Sequence, residues 1–362
     1  MDKGVTIREI ADRAGVSTAT VSNVIHGKTK RVSPSTIRRV QELIREMGYG
    51  QEKAENGDED RASAGARLAA LVVNPHKVYE DAIGADPFYG KMIGMVERRL
   101  REKGYYMMFY SASDMDDIFG MVMSRQVEGV ITLTLNRNDS SKIAGLIKRP
   151  VVSIDACGPR GSVMNIGLDD WQGGRLMTEY LEDCGYGPIY VCAGRDHGVD
   201  HLRYTGCLAA GKENCLRFVP LGLDRRTRQA SLEGLMKPIR NCMQEGRRPA
   251  LFFLSDVYAL EGMRFFVSRG LRIPEDVGIA GFDDIFCSSL VYPGLTTIRQ
   301  DMKRKAELAV DRLVDLMEGR ETDGEEREIL LPVKLVVRES TRALPEDGKG
   351  GRWAAGPAGP EP

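Results

Sequence analysis

Thr18, Ala19, Ser22, Asn23 and His26 fall at helical spacing on the side opposite Val21, Val24 and Ile25. Apolar residues recurring every three to four positions bury one face of a helix and leave the other to a partner or to water. The exposed side chains here are short, so a grooved partner can approach the backbone closely. An Asn carboxamide can pair bidentately with adenine, and the methyls of Ala and Thr can meet the thymine methyl. This is chemistry for reading base edges in a major groove. The same pattern also fits a three-helix structural or protein-binding module whose Ser and Thr are merely solvated.

The elements that must position this face are legible from their punctuation. Thr6 and Glu9 form a capping box at the start of a first helix, whose apolar face is Ile7, Ile10, Ala11 and Ala14 and which Gly15 closes. Ser17 starts the second helix, which ends near His26. Ser33 caps a third, with Pro34 in the first turn and Ile37, Val40, Leu43, Ile44 and Met47 repeating toward Gly48. A tight Gly-Val turn between the first two helices is the layout of a helix-turn-helix.

Charge distribution agrees. The 362-residue chain has a formal net charge of -1, but residues 1–50 hold nine Lys/Arg against five acids, so a +4 head sits on a -5 remainder. A basic module on an acidic body is the footprint of a nucleic-acid-binding head. Hydrophobic residues at 42% and charged residues at 28% suit a soluble protein with a real core. No apolar run approaches bilayer length, and the charged, periodic start is unlike a secretory signal. The seven cysteines are scattered and never spaced CxxC, which argues for a reducing compartment and against structural zinc. A cytoplasmic location without membrane association is expected. No Walker loop, strand-linked GxGxxG, HExxH or GxSxG occurs, so no catalytic residue, metal or cofactor is expected.

The stretch VTIREIADRAGVSTATVSNVIHGKTKRVSPSTIRRVQELIREMGY strongly resembles the headpiece of LacI/GalR-family repressors. The resemblance implies base reading by Thr18, Ala19 and Asn23, and contacts at or near the DNA backbone by Thr6, Ser17, Thr20, Ser22 and His26. Residues 51–66, QEKAENGDEDRASAGA, lack periodicity and read as a flexible linker, with a net charge of -3 over residues 51–61. The family usually carries Pro-Asn after the Tyr and then a short helix that inserts Leu into the minor groove. Here Gly50 and Gln51 follow Tyr49 and no Leu precedes Leu68. A tether in place of the hinge helix is therefore expected.

From Arg67 onward, strand-like apolar runs (RLAALVV, YYMMFY, GVITLT, PVVSI, PIYVCA, PALFFL, VGIAGF) alternate with helical segments. Such alternation makes parallel sheets covered by helices, with ligands favoured beyond the carboxyl ends of the strands. Landmarks such as DPFYGKMIGMVERRLREKGY, GLDDWQGGRLMTEYL and YPGLTTIRQD continue the family resemblance. It implies an α/β fold in which the three-helix headpiece (1–50) joins a two-lobed, type I periplasmic-binding-protein-like domain (67–342). The first lobe is expected at about 67–167 and 299–324, and the second at about 168–298 and 325–342.

Placing these landmarks puts Asp155, Ser255, Asp256 and Asp283 at strand ends. Phe88 and Tyr89 fall where the family uses aromatics against its effector, and Arg203 matches its effector-contacting arginine. Leu168 and Trp171 are further candidates for the cleft. An aromatic face with convergent polar groups suits a sugar or nucleoside. Asp256, Asp284 and Phe88 also have plainer roles open to them, as helix caps and core.

The expected protein is a DNA-binding transcriptional regulator, a repressor, that responds to a small-molecule effector on a double-stranded operator. The alternative is a solute-binding protein of a transport system. Residues 343–362, rich in Gly and Pro, read as a disordered tail. With no C-terminal leucine heptad, the resemblance implies a homodimer.

Overall fold

The computed structural model describes residues 6–25, 32–47, 67–73, 86–111, 114–125, 127–158, 163–194, 198–212, 215–222, 224–320 and 327–342. His26, the linker at 51–66 and the tail from 343 lie outside them. At the N-terminus three helices, α1 (Ile7–Ala14), α2 (Thr18–Ile25) and α3 (Pro34–Glu46), pack around Ile10, Ala11, Ala14, Val21, Val24 and Val40. Both arms of the capping box on α1 are present, and Gly15 closes the helix at φ 67. Ser17 Oγ accepts the Thr20 N–H and Ser33 Oγ the Thr36 N–H, so each following helix starts where its serine directs.

The body holds two six-stranded sheets among the described residues. The first contains β1 (Leu68–Val73), β2 (Tyr106–Ser111), β3 (Gly129–Leu133), β4 (Val151–Ile154), β5 (Met164–Leu168) and β11 (Glu328–Leu331), in the order β11-β5-β4-β3-β1-β2, all parallel. The second contains β6 (Ile189–Ala193), β7 (Leu216–Pro220), β8 (Ala250–Phe253), β9 (Gly278–Asp283), β10 (Thr296–Gln300) and β12 (Val333–Val336), in the order β12-β10-β9-β8-β6-β7. Only β12 runs antiparallel, against β10. β3, β6, β8 and β9 are buried along their whole length, and β1 from Ala69 onward, as apolar runs covered on both faces must be.

Helices supply the covers. In the first lobe α4 (Pro87–Glu102) and α11 (Met302–Met317) close one face, and α5 (Met115–Ser124) and α6 (Arg137–Ile147) the other. In the second, α7 (Asp170–Asp183) and α8 (Val199–Ala210) oppose α9 (Arg225–Gln244) and α10 (Asp256–Val267). Strand order reverses between β1 and β3 in one sheet and between β6 and β8 in the other. Such switch points leave a crevice at the carboxyl ends of the strands.

The chain crosses between lobes three times. Two crossings fall at Asp169 and Asp301, and each of these residues also caps the helix it enters, accepting from Gln172 and Arg304 N–H respectively. The third corrects the expected boundary near 325. Residues 328–331 still pair with β5 in the first sheet, so the crossing lies at Pro332, between β11 and β12.

Candidate functional site

On the headpiece, α2 buries Val21 and Val24 and leaves Ser17, Thr18, Ala19 and Asn23 exposed. Thr20 and Ser22 are half-buried, and Thr20 Oγ1 lies 2.9 Å from Ser17 Oγ. Thr6 is exposed at the start of α1, with its hydroxyl and N–H bound to Glu9. One side of one short helix therefore carries an exposed amide, methyl and hydroxyls, which is the composition that reads base edges.

In the body, the groups expected at strand ends separate into two sets. Arg203, on α8, is buried at the end of β8: its Nε donates to Asp170 Oδ1 at 2.8 Å and its Nη1 to the Leu254 carbonyl at 2.6 Å. Its guanidinium lies 3.6 Å from the Phe282 ring centroid, a cation–π contact in a desolvated setting. Asp283, the last residue of β9, is 3.8 Å from Arg203 Nη1 and accepts from Gln300 Nε2 at 2.7 Å. Asp155 follows β4, and both its oxygens accept from Lys305 Nζ, at 2.9 and 2.8 Å. Tyr89 stands at the start of α4, edge-on to Phe88 at 5.4 Å between ring centroids. Burial pushes the Tyr89 hydroxyl up to about 12, against a hydrogen bond from Thr134, with Asp86, Asp155 and Asp283 adding to the rise. Asp86 holds this corner by accepting from the Phe88 and Tyr89 N–H groups.

Backbone conformation marks the same edge. Thr134, Asp155, Asp283 and Asp284 take positive φ values of 61, 53, 119 and 52. Non-glycine residues there are uncommon, and they concentrate at ligand clamps and switch regions where the surroundings enforce them.

Among the described residues, both cations at this edge are paired. Arg203 faces Asp170 and Lys305 faces Asp155. Burial pushes the Asp283 carboxyl up to about 8, although Arg203 pulls it down. A carboxyl raised in this way keeps its proton to higher pH than a free one, and its protonated form offers a donor as well as acceptors. Burial also raises Asp170, with Arg203 opposing. The nearby Cys157 thiol is pushed up to about 11 by burial, which leaves no thiolate at neutral pH.

Two expected ligand groups belong to the framework instead. Asp256 is fully buried, and its oxygens are occupied by Ile285 N–H at 3.0 Å, Ser288 Oγ at 2.6 Å and Thr297 Oγ1 at 2.6 Å. It ties α10 to the loop after β9 and to β10, and has no face left for a ligand. Leu168 ends β5 but packs within the second core, opposite Leu331 on β11. Ser255 precedes α10 without spending its side chain on a cap. Trp171 is partly exposed near the first crossing.

Sequence reasoning missed Asp170, Gln300 and Lys305. Lys305 had a signal: it is a lone cation on the apolar stripe Met302, Ala306, Ala309, Val310 and Leu313, and it is fully buried. Gly174 and Gly206 were also missed. A Cβ on either would lie closer than 3.0 Å to a backbone carbonyl of the opposing helix, Arg203 for Gly174 and Trp171 for Gly206. These reciprocal glycines let α7 and α8 touch backbone to backbone, one turn from Asp170 and Arg203.

Among the described residues, no cluster of three His, Cys, Asp or Glu could hold a metal, and no helix is long and apolar enough to cross a membrane. A small three-helix head with an exposed polar face on its second helix, attached to two switch-point lobes, is the layout of a DNA-binding regulator with a binding-protein body. Comparison with known proteins agrees at both ends. Residues 6–51 match the lacI family of bacterial regulatory proteins, and residues 178–341 a periplasmic binding protein-like domain. The chain is 30% identical over 356 residues to the HTH-type transcriptional repressor PurR of Pasteurella multocida, covering 93% of this chain and 99% of that one. It is 28% identical to the HTH-type transcriptional regulator CelR of Thermobifida fusca, covering 92% and 98%. Among solved structures, a CelR–cellobiose complex aligns with a TM-score of 0.64 at 26% identity, covering 93% of this chain and 99% of that one. The lac repressor dimer bound to operator and the anti-inducer ONPF aligns at 0.62 and 25%, covering 94% and 100%.

The chain belongs to the LacI family of transcriptional regulators. It is a DNA-binding regulator and not a transport solute-binding protein.

Proposed function

We propose that the chain is a homodimeric cytoplasmic repressor whose operator binding is set by a neutral, polyhydroxylated effector, a sugar or nucleoside, held between the lobes. The observation that carries this is the pairing of both cations at the strand ends, Arg203 to Asp170 and Lys305 to Asp155, with the buried Asp283 carboxyl next to them. Such a set offers many donors and acceptors, with both cations already paired, which matches hydroxyl groups better than an anionic ligand. Phe88 and Tyr89 supply the apolar wall against which a sugar or base can stack. The cellobiose in the CelR structure and the dimer in the lac repressor structure support the effector class and the assembly. On DNA, Thr18, Ala19 and Asn23 are the base-reading set, with Thr6, Ser17, Thr20 and Ser22 toward the phosphates; His26, outside the described residues, completes it. The effector acts by binding two lobe arrangements unequally.

The test is a thermal-shift series on the full chain with neutral sugars including cellobiose, with nucleosides, and with sugar phosphates. A tight ligand raises apparent stability by mass action. Shifts from a neutral compound that vanish in Asp283→Ala are expected. Shifts confined to the phosphorylated compounds would refute the neutral-effector reading. Arg203→Ala would leave Asp170 buried without its partner, so it is measured together with Asp170→Asn.

A further inference from the structure

Lys305 Nζ makes three hydrogen bonds, to Asp155 Oδ1, Asp155 Oδ2 and Gln300 Oε1, the last at 2.7 Å. An ammonium has three donors, so none remains for a ligand. Asp155 lies at the end of β4 in the first sheet, and Lys305 on α11, which packs on that sheet. Gln300 closes β10 in the second sheet, and its Nε2 donates onward to Asp283, which faces Arg203 and through it Asp170. A buried polar chain therefore runs from Asp155 to Asp170. It passes the crossing at Asp301 and ends beside the crossing at Asp169.

A leucine at position 305 would fill the apolar stripe without desolvating a charge, whereas a buried ion pair returns little net stability. What the lysine adds is geometry. We propose that Lys305 is a positioning residue that couples the lobes, by fixing Asp155 of the first lobe and the Gln300–Asp283 pair of the second in one network. This rests on the cleft being the effector site. An effector that rearranges Asp283 would then be felt at Gln300, Lys305 and the seat of α11.

The experiment uses the full chain without any ligand, so the effector reading can fail without affecting the outcome. Lys305→Met, Asp155→Asn and the double variant are compared with the parent by urea unfolding and by hydrogen exchange read on peptides. Lys305→Met alone should lower the urea midpoint, because it strands a buried carboxylate. The double variant should recover most of that loss. In the double variant, exchange in second-lobe peptides spanning residues 281–286 and 298–302 should still be faster by about five- to tenfold, since Gln300 has lost its fixed donor. If Lys305→Met does not fold, the double variant carries the test alone. A structural role confined to the first lobe would be cured by the double substitution. Second-lobe exchange equal to that of the parent in the stability-recovered double variant would overturn the proposal.

Discussion

Gly174→Ala and Gly206→Ala test whether the α7–α8 crossing positions the cleft arginine. Each added methyl would lie inside the 3.0 Å that real Cβ atoms respect, and in both cases the obstructing atom is a backbone carbonyl that no rotamer change can move. The helices must part by roughly 1.5 Å to restore ordinary contact, since interaxial distance follows the side chains at the contact. Overpacking of this kind costs about 3 kcal/mol, at the upper end of its usual range. The same separation would stretch the Arg203–Asp170 bond from 2.8 Å, past the roughly 3.2 Å limit of a good N–H···O bond. Because one movement relieves both clashes, the two substitutions share one remedy and should not add. The double variant should cost about 3–4 kcal/mol, well short of the roughly 6 kcal/mol of independent sites. Urea unfolding followed by Trp171 emission is the assay, with Trp353 replaced by Phe so that Trp171 reports alone. Additive losses, or single losses below about 1 kcal/mol, would refute the argument that this close approach is obligatory.

Asp283 takes up a proton on folding between its ordinary value of 3.8 and about 8, because burial raises it. Its contribution to stability is therefore lost as pH rises through that window, and Asp283→Asn should flatten the fall in urea midpoint between about pH 4 and pH 8. An unchanged slope would show that Asp283 is already ionised. Asn23→Ala should cost about 1–3 kcal/mol on a selected operator and relax preference at one base pair per half-site. A loss uniform across operator sequences would take Asn23 out of base reading. In the linker, Asp58→Asn, Glu59→Gln and Asp60→Asn together should tighten binding to all duplexes alike, with little dependence on the central operator step. Strong selectivity for a flexible pyrimidine–purine step would show that a hinge element inserts after all.

Local chemistry made much of this protein legible in one dimension. The Thr6–Glu9 box, Ser17, Ser33 and Gly15 each act within four residues of themselves, so helix starts and stops in the head follow from residue type and spacing alone. The central strands were equally plain, because a strand covered on both faces must be apolar throughout. The edge strand β7, LRFVP, is masked in sequence by its Arg and Pro, and the four-residue β11 pairs in the first lobe although its place in the chain suggests the second. Which lobe a short segment joins depends on the strand it pairs with, about which its own residues say little.

The strand-end carboxylates show the same division more sharply. Asp155, Asp256 and Asp283 look alike in sequence, each an acid following an apolar run. Tertiary structure makes Asp256 a framework clasp, because its donors arrive from residues 29, 32 and 41 positions away. It gives Asp155 a lysine from 150 positions away, and buries Asp283 beside an arginine whose own partner lies 33 positions distant. Periodicity records which side of an element avoids water, and that is a property of neighbours in the chain. The role of a buried charge is set by the partner that balances it, and only the folding of distant segments onto one another decides which partner that is.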